Sequence, residues 1–81
     1  MIGVVIVKFN NRLKDLRQDN DLTQDQLSKI LNIARKTLSN YETSYRTPNI
    51  YLVVKIADYF DVSLDYLLGR TDMPTPYPKH K

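Results

Sequence analysis

The stretch LTQDQLSKILNIARKTLSNYE, residues 22–42, decides how this chain folds. It opens with Thr23, whose hydroxyl can cap a helix, and continues with apolar residues at the spacing of one helical face. Those apolar residues are Leu27, Ile30 and Leu31. Asn32 and Ile33 interrupt the pattern, and a second helix is predicted over residues 34–42. The stretch therefore predicts two short helices joined by a tight turn.

The second predicted helix has two dissimilar faces. One carries the residues expected to pack inward, which are Ala34, Thr37, Leu38 and Tyr41. The other carries cationic, hydroxyl and amide side chains and no acid, namely Arg35, Lys36, Ser39, Asn40 and Thr43. Residues 29–46 contain four cations and one acid, a local net charge of +3 that equals the net charge of the whole chain. The excess positive charge is therefore centred on this helix.

Two helices at this spacing, the second with an unburied polar face, form a helix-turn-helix. The second helix of such a pair fits the major groove of B-DNA, where base edges display hydrogen-bonding groups. Arg35 and Lys36 can donate to guanine O6 and N7, and Asn40 can both donate to and accept from adenine. The alternative is that the cationic face is ordinary solvated surface, which is common on short helices.

The flanking segments also show helical periodicity, from about Asn11 onward. Asn49 and Ser63 can each cap a further helix, and Gly69 can end the last one. Five short helices with tight connections predict a compact all-α domain over residues 10–69, without a repeat or an internal linker.

The two ends of the chain differ from this domain. Residues 1–9, MIGVVIVKF, are apolar and rich in β-branched side chains, which predicts a strand-like extension. The run is too short to span a bilayer and has no basic leader or small-residue cleavage site, so we expect no membrane span and no secretory signal. Residues 70–81 contain three prolines and no apolar period, and we expect a flexible tail.

Two segments together resemble the Xre-type branch of the phage repressor and Cro helix-turn-helix family: LTQDQLSKILNIARKTLSNYETSYRTP (22–48) and VVKIADYFDVSLDYLLGRTD (53–72). The similarity covers roughly residues 9–72. It rests on LTQ opening the first motif helix, YE closing the second, a proline after the loop, and VSLDYLLG. The resemblance implies a lambda-repressor-like domain that binds double-stranded DNA as a transcriptional regulator, most simply a repressor encoded by a phage or mobile element.

The resemblance also implies roles for residues at matching positions. Arg35, Lys36 and Asn40 are expected to face bases. The residues expected to lie at the DNA backbone are Gln24, Ser39, Thr43, Tyr45, Arg46 and Thr47. Gln24 is also expected to brace the recognition helix. Arg17 and Glu42 are expected to form a structural ion pair, the alternative being two separate solvated charges.

Four positions where the family commonly has glycine carry other residues here, and they are Asp21, Asn32, Ser44 and Asp61. Asn and Asp tolerate a left-handed backbone better than other non-glycine residues, so three of these changes are expected to be mild. Ser44 is a poorer substitute, and it bears on the geometry of the loop after the recognition helix.

We expect a homodimer, because one short helix reads few base pairs and two copies can read a two-fold symmetric operator. The first candidate contact is an antiparallel pairing of residues 1–9 across the two-fold axis. The tail around Tyr77 and the last helix are alternatives. The apolar residues of the last helix are Leu64, Tyr66, Leu67 and Leu68.

Two functional classes other than DNA reading have some basis in the sequence or can be excluded by it. An antitoxin-type module that holds a partner protein and represses its own operon is the second hypothesis, motivated by the apolar amino-terminal segment and the tail. An enzyme is not expected, because Asp15 and Asp19 lie one turn apart on an ordinary helix surface and no Ser/His/Asp set or phosphate-cradling glycine loop occurs. The only histidine is His80 and cysteine is absent, so no metal site, disulfide or cofactor is expected. We expect a cytoplasmic protein of bacterial or phage origin.

Overall fold

The computed structural model describes the backbone of residues 2–43 and 48–75, with side chains from Phe9 onward. Within these ranges the chain forms five α-helices, as the sequence predicts. In chain order they are α1 (Ile2–Asp19), α2 (Gln24–Leu31), α3 (Arg35–Thr43), α4 (Ile50–Phe60) and α5 (Leu64–Leu67). None of the helices in this described part of the chain is both long enough and apolar enough to cross a membrane. The all-α fold class is confirmed.

The strand expected at the amino-terminal end is wrong, because residues 2–9 are the first part of α1. β-branched residues favour a strand chiefly where a neighbouring strand offers them a packed surface. A lone strand would leave its backbone N–H and C=O groups unpaired, whereas a helix pairs them within the segment. The helix that periodicity predicts from Asn11 therefore begins at Ile2, and a dimer built on paired amino-terminal strands has no structural basis.

The helix ends follow local sequence signals. The Thr23 hydroxyl accepts from the Gln26 N–H at 3.1 Å, and the Gln26 side chain accepts from the Thr23 N–H at 2.8 Å. Asn49 and Ser63 cap α4 and α5 through one backbone N–H each. A cap of this kind contributes about 1 kcal/mol to stability. The predicted caps of α2, α4 and α5 are confirmed.

Three connections pass through left-handed backbone at residues other than glycine. Asp21, Asn32 and Asp61 have φ values of 57°, 58° and 57°. These are three of the positions where the family commonly has glycine, and the expectation that Asp and Asn accommodate the required turn is confirmed. Ser44, the fourth such position, lies outside the described residues.

The hydrophobic core lies where the five helices meet. Its buried apolar side chains are Phe9, Leu13, Leu27, Leu31, Leu38, Val53, Ile56, Ala57, Val62 and Leu67. α1 and α2 both pack against α3. Leu27 of α2 and Leu38 of α3 are completely buried, so apolar packing fixes these two helices relative to each other. The opposite side of α3 is left to solvent.

Residues 71–74 pack back against the domain. The Arg12 guanidinium carbon lies 4.0 Å from the centre of the Tyr66 ring, and Arg12 Nη2 lies 2.6 Å from Asp72 Oδ1. The Ser63 N–H donates to the Pro74 carbonyl at 3.1 Å. These contacts tie the first residues after α5 to α1 and α5. Flexibility of the whole segment 70–81 stays a prediction.

Candidate nucleic-acid interface

α2 and α3 are joined by a turn of residues 32–34, which gives the chain a helix-turn-helix. The turn is closed by the Asn32 N–H, which donates to the Lys29 carbonyl at 3.2 Å, and by the Ile33 N–H, which donates to the Ser28 carbonyl at 2.9 Å. The left-handed conformation of Asn32 redirects the chain at this point. The relative placement of the two helices therefore depends on one backbone turn and on the buried leucines beneath it.

α3 divides its side chains much as helical periodicity predicts. Leu38 is buried, and Thr37, Tyr41 and Ser39 are half-buried. The exposed polar side chains of α3 are Arg35, Lys36, Asn40 and Thr43. Ala34, expected on the inward face, is exposed and precedes the first helical residue, so it is not part of that face. Helix α3 thus runs from residue 35 to residue 43, one position later than predicted at each end.

The single acid of α3, Glu42, is turned into the protein, where its side chain is 1% exposed. Arg17 of α1 meets it through two contacts, Nε to Oε2 at 2.7 Å and Nη2 to Oε1 at 3.0 Å. The hydrogen bonding to Glu42 raises the pKa of Arg17, against an opposing effect of burial and with a further contribution from the Glu42 charge. The outer face of α3 therefore displays its cations without a competing carboxylate.

Gln24 connects the start of α2 to the same carboxylate. Its Nε2 lies 3.2 Å from Glu42 Oε1. An amide nitrogen carries two hydrogens, so this bond leaves one for a phosphate oxygen. The cluster of Arg17, Gln24 and Glu42 joins α1, α2 and α3 on the inner side of the polar face. The two residues of the predicted ion pair, Arg17 and Glu42, are in contact, and Gln24 is a third member of the cluster.

A surface depression of about 290 Å³ lies between the start of α2 and the polar face of α3. Its lining consists of Gln24, Arg35, Lys36 and Ser39, all of which are predicted DNA contacts. Asn40 and Thr43 lie on the same helix outside this lining, and the Thr43 hydroxyl donates to the Ser39 carbonyl at 2.8 Å. A lining of cationic, amide and hydroxyl groups is suited to the anionic and polar groups of nucleic acid.

Three further predicted contacts, Tyr45, Arg46 and Thr47, lie outside the described residues. Within residues 2–43 and 48–75, no group of three or more histidine, cysteine or acidic side chains is arranged to hold a metal ion.

Two polar contacts that hold the motif in place were missed by sequence reasoning. Asn10 is 4% exposed, and its amide donates to the Tyr41 carbonyl near the end of α3. The Lys55 ammonium donates to the Leu31 carbonyl at the end of α2 at 3.2 Å. Both join residues more than twenty positions apart, so no local pattern points to them.

Comparisons with known proteins agree with this geometry. The family model described as "Helix-turn-helix" matches residues 13–67. The HTH-type transcriptional regulator ImmR of Bacillus subtilis (strain 168) is 39% identical over 67 residues, which cover 83% of this chain and 53% of that protein. The cryptic phage CTXphi transcriptional repressor RstR of Vibrio cholerae serotype O1 is 33% identical over 64 residues, covering 79% of this chain and 57% of that protein.

A third relative is named as an antitoxin and not as a transcriptional regulator. The antitoxin PezA of Streptococcus pneumoniae serotype 4 is 34% identical over 68 residues, covering 84% of this chain and 43% of that protein. The chain thus spans about half the length of these relatives. The family match takes in α2, the turn and α3 in full, together with most of the core around them. The chain therefore belongs to the Xre-like helix-turn-helix family, and the relatives that it matches include proteins named as transcriptional regulators.

Proposed function

We propose that this chain reads double-stranded DNA in a sequence-specific way, placing α3 in the major groove and acting as a dimer, most simply as a repressor. One observation carries the proposal. Gln24, Arg35, Lys36 and Ser39 line a single depression on a face from which the carboxylate of Glu42 is withdrawn. A surface of this kind attracts the phosphate backbone and still presents donors to base edges.

Base reading is assigned to Arg35 and Lys36, because a recognition helix contacts base edges mainly through exposed side chains of its amino-terminal part. It is also assigned to Asn40, which is exposed one turn after Lys36 on the same side of α3. Backbone contacts are assigned to Gln24, Ser39, Thr43, Tyr45, Arg46 and Thr47. Phosphate contacts fix the register of the protein on the duplex, and base contacts select the sequence. The relatives named as a regulator and as a repressor support a role in transcription, which for a bacterial or phage protein takes place in the cytoplasm.

The proposal is tested by gel shifts on the DNA upstream of the protein's own gene, compared with unrelated DNA at the same salt concentration. We expect preferential binding to one site, and we expect Arg35→Ala to remove most of that preference. Arg70→Ala is the matched control, since Arg70 is an exposed arginine just after α5. Weak binding that is equal on all sequences and unchanged by Arg35→Ala would contradict specific reading.

Lys36→Ala and Arg46→Ala are expected to have different effects. If Lys36 contacts a base, its removal should relax the choice at one position of the site and cost about 1 to 3 kcal/mol on the preferred sequence. Arg46→Ala should weaken all sequences alike, because a phosphate contact carries no sequence information. Selection of bound sites from random DNA, carried out with each variant, measures both effects. An Arg46→Ala protein with an altered site preference would show that the two roles are assigned wrongly.

A second candidate function is that of an antitoxin-type protein, which holds a partner protein and represses its own operon. The similarity to the antitoxin PezA favours it. The neighbouring gene is the first test, because an antitoxin gene lies beside that of its toxin. If co-expression with that neighbour relieves growth inhibition, the antitoxin function is supported, and if the neighbour does not inhibit growth alone, this candidate is rejected.

A further inference from the structure

The outer side of α4 carries a stripe of exposed apolar side chains. Ile50, Tyr51 and Val54 are 57%, 83% and 36% exposed. They lie within one turn of each other on the helix that begins shortly after α3 ends. The inward side of the same helix is occupied by the buried residues Val53 and Ile56. Exposed apolar side chains grouped on one side of a helix can serve as an interaction surface.

We infer that this stripe is the contact between two copies of the chain, with α4 packed antiparallel against α4 of a second copy and the two-fold axis passing beside Val54. This inference rests on the dimeric reading of DNA proposed above and assigns its interface. The proposed contact surface consists of this stripe and of Asp58, which lies one turn after Val54.

Two polar groups of this contact surface, the Tyr51 hydroxyl and the Asp58 carboxylate, make the surface complementary to the same surface of a second copy. Tyr51 and Asp58 are seven residues apart, so they lie on the same side of α4, separated by about 10.5 Å along its axis. Both are exposed, and Val54 lies near the middle of the interval between them. A two-fold axis at Val54 places the Tyr51 hydroxyl of each copy opposite the Asp58 carboxylate of the other. The same hydroxyl-to-carboxylate contact therefore forms twice, on either side of the apolar Val54 pair, as an isologous interface requires.

The last helix is a poorer candidate for this contact. Leu67 is completely buried, and Leu64, Tyr66 and Leu68 pack against this domain's own core. Arg12 also covers one face of the Tyr66 ring. A single helix pair buries less than the roughly 800 Å² per partner of a stable interface, so we expect a weak dimer that is strengthened by a two-fold symmetric DNA site.

Cysteine cross-linking tests the interface directly, because the chain has no cysteine of its own. Val54→Cys, next to the axis, should form a disulfide-linked dimer on mild oxidation, since two Cα atoms within about 7 Å can be bridged. Tyr59→Cys is the matched control. Tyr59 is 47% exposed on the same helix, five residues further on and therefore on a different side. Both variants are oxidised with and without the selected DNA site and compared on a non-reducing gel.

We expect Val54→Cys to form a cross-linked dimer, either in solution or only when the DNA site is present. We expect Tyr59→Cys to stay monomeric under both conditions. Equal cross-linking of the two variants, or none of Val54→Cys in either condition, would overturn the inference. Asp58→Lys should raise the dimer dissociation constant about tenfold or more in sedimentation experiments, because it removes both symmetric contacts. An unchanged constant would also count against it. If Val54→Cys cross-links in solution, adding Arg35→Ala should remove the preference for the DNA site and leave that cross-linking intact, which separates the two proposals.

Discussion

Replacement of Arg17 by alanine is expected to lower the free energy of unfolding by about 3 to 5 kcal/mol, measured from the midpoint of urea denaturation. The side chains of Arg17 and Glu42 are 11% and 1% exposed, so the change leaves a carboxylate inside the protein without its cation. Arg17 also donates to the Leu22 carbonyl at 2.8 Å, and this bond is lost as well. A small domain has a total stability of about 5 to 15 kcal/mol, so the loss is a large part of the whole.

An exposed ion pair provides the control for this experiment. Arg70 Nε lies 3.8 Å from Asp65 Oδ1, and both side chains are well exposed. Solvent screens such a pair, and Arg70→Ala should therefore cost less than about 1 kcal/mol. A double variant, Arg17→Ala with Glu42→Ala, should lose less stability than the sum of the two single changes. If Arg17→Ala leaves the denaturation midpoint nearly unchanged, the pair has no structural role.

The affinity of the protein for its DNA site is expected to fall about tenfold or more between about 50 and 200 mM salt. Arg46 is the one cation among the backbone contacts proposed for each copy, so a dimer releases the counterions of about two phosphates through it, and Arg35 and Lys36 add positive charge beside the backbone. The positive charge of the polar face is not offset by the one acid of α3, because Glu42 is buried against Arg17. Titrations at several salt concentrations give the slope of log affinity against log salt.

Variants separate the contributions to that slope. Arg46→Ala should make it shallower by about two for a dimer, one phosphate contact having been removed from each copy. Asn40→Ala should weaken binding to the preferred site and leave the slope unchanged, since a neutral amide displaces no counterion. A slope near zero for the unmodified protein would contradict the proposed phosphate contacts, whereas equal slopes for it and Arg46→Ala would contradict only the assignment of Arg46.

The features that sequence reasoning predicted correctly depend on residues close together in the chain. Thr23, Asn49 and Ser63 each cap a helix through an N–H three residues away, so the signal and its effect share one turn. Asp21 and Asn32 adopt left-handed backbone for a similarly local reason, because their short polar side chains tolerate that conformation better than other non-glycine side chains do. The division of α3 into an inward and an outward face follows from helical period alone.

The remaining features were decided by contacts between distant parts of the chain. The apolar run at residues 2–9 favours a strand in isolation, but strand formation needs a partner strand, and the run became helix instead. The ion pair of Arg17 and Glu42 was expected only from the family resemblance, because its partners are 25 residues apart and no local pattern links them. Arg12 and Asp72, 60 residues apart, were not expected to meet at all. Local sequence thus determined where α2, α4 and α5 begin and which face of α3 is polar. Only tertiary packing decided which charges are buried and which apolar side chains of α4 stay exposed, because burial depends on the neighbours that distant segments supply.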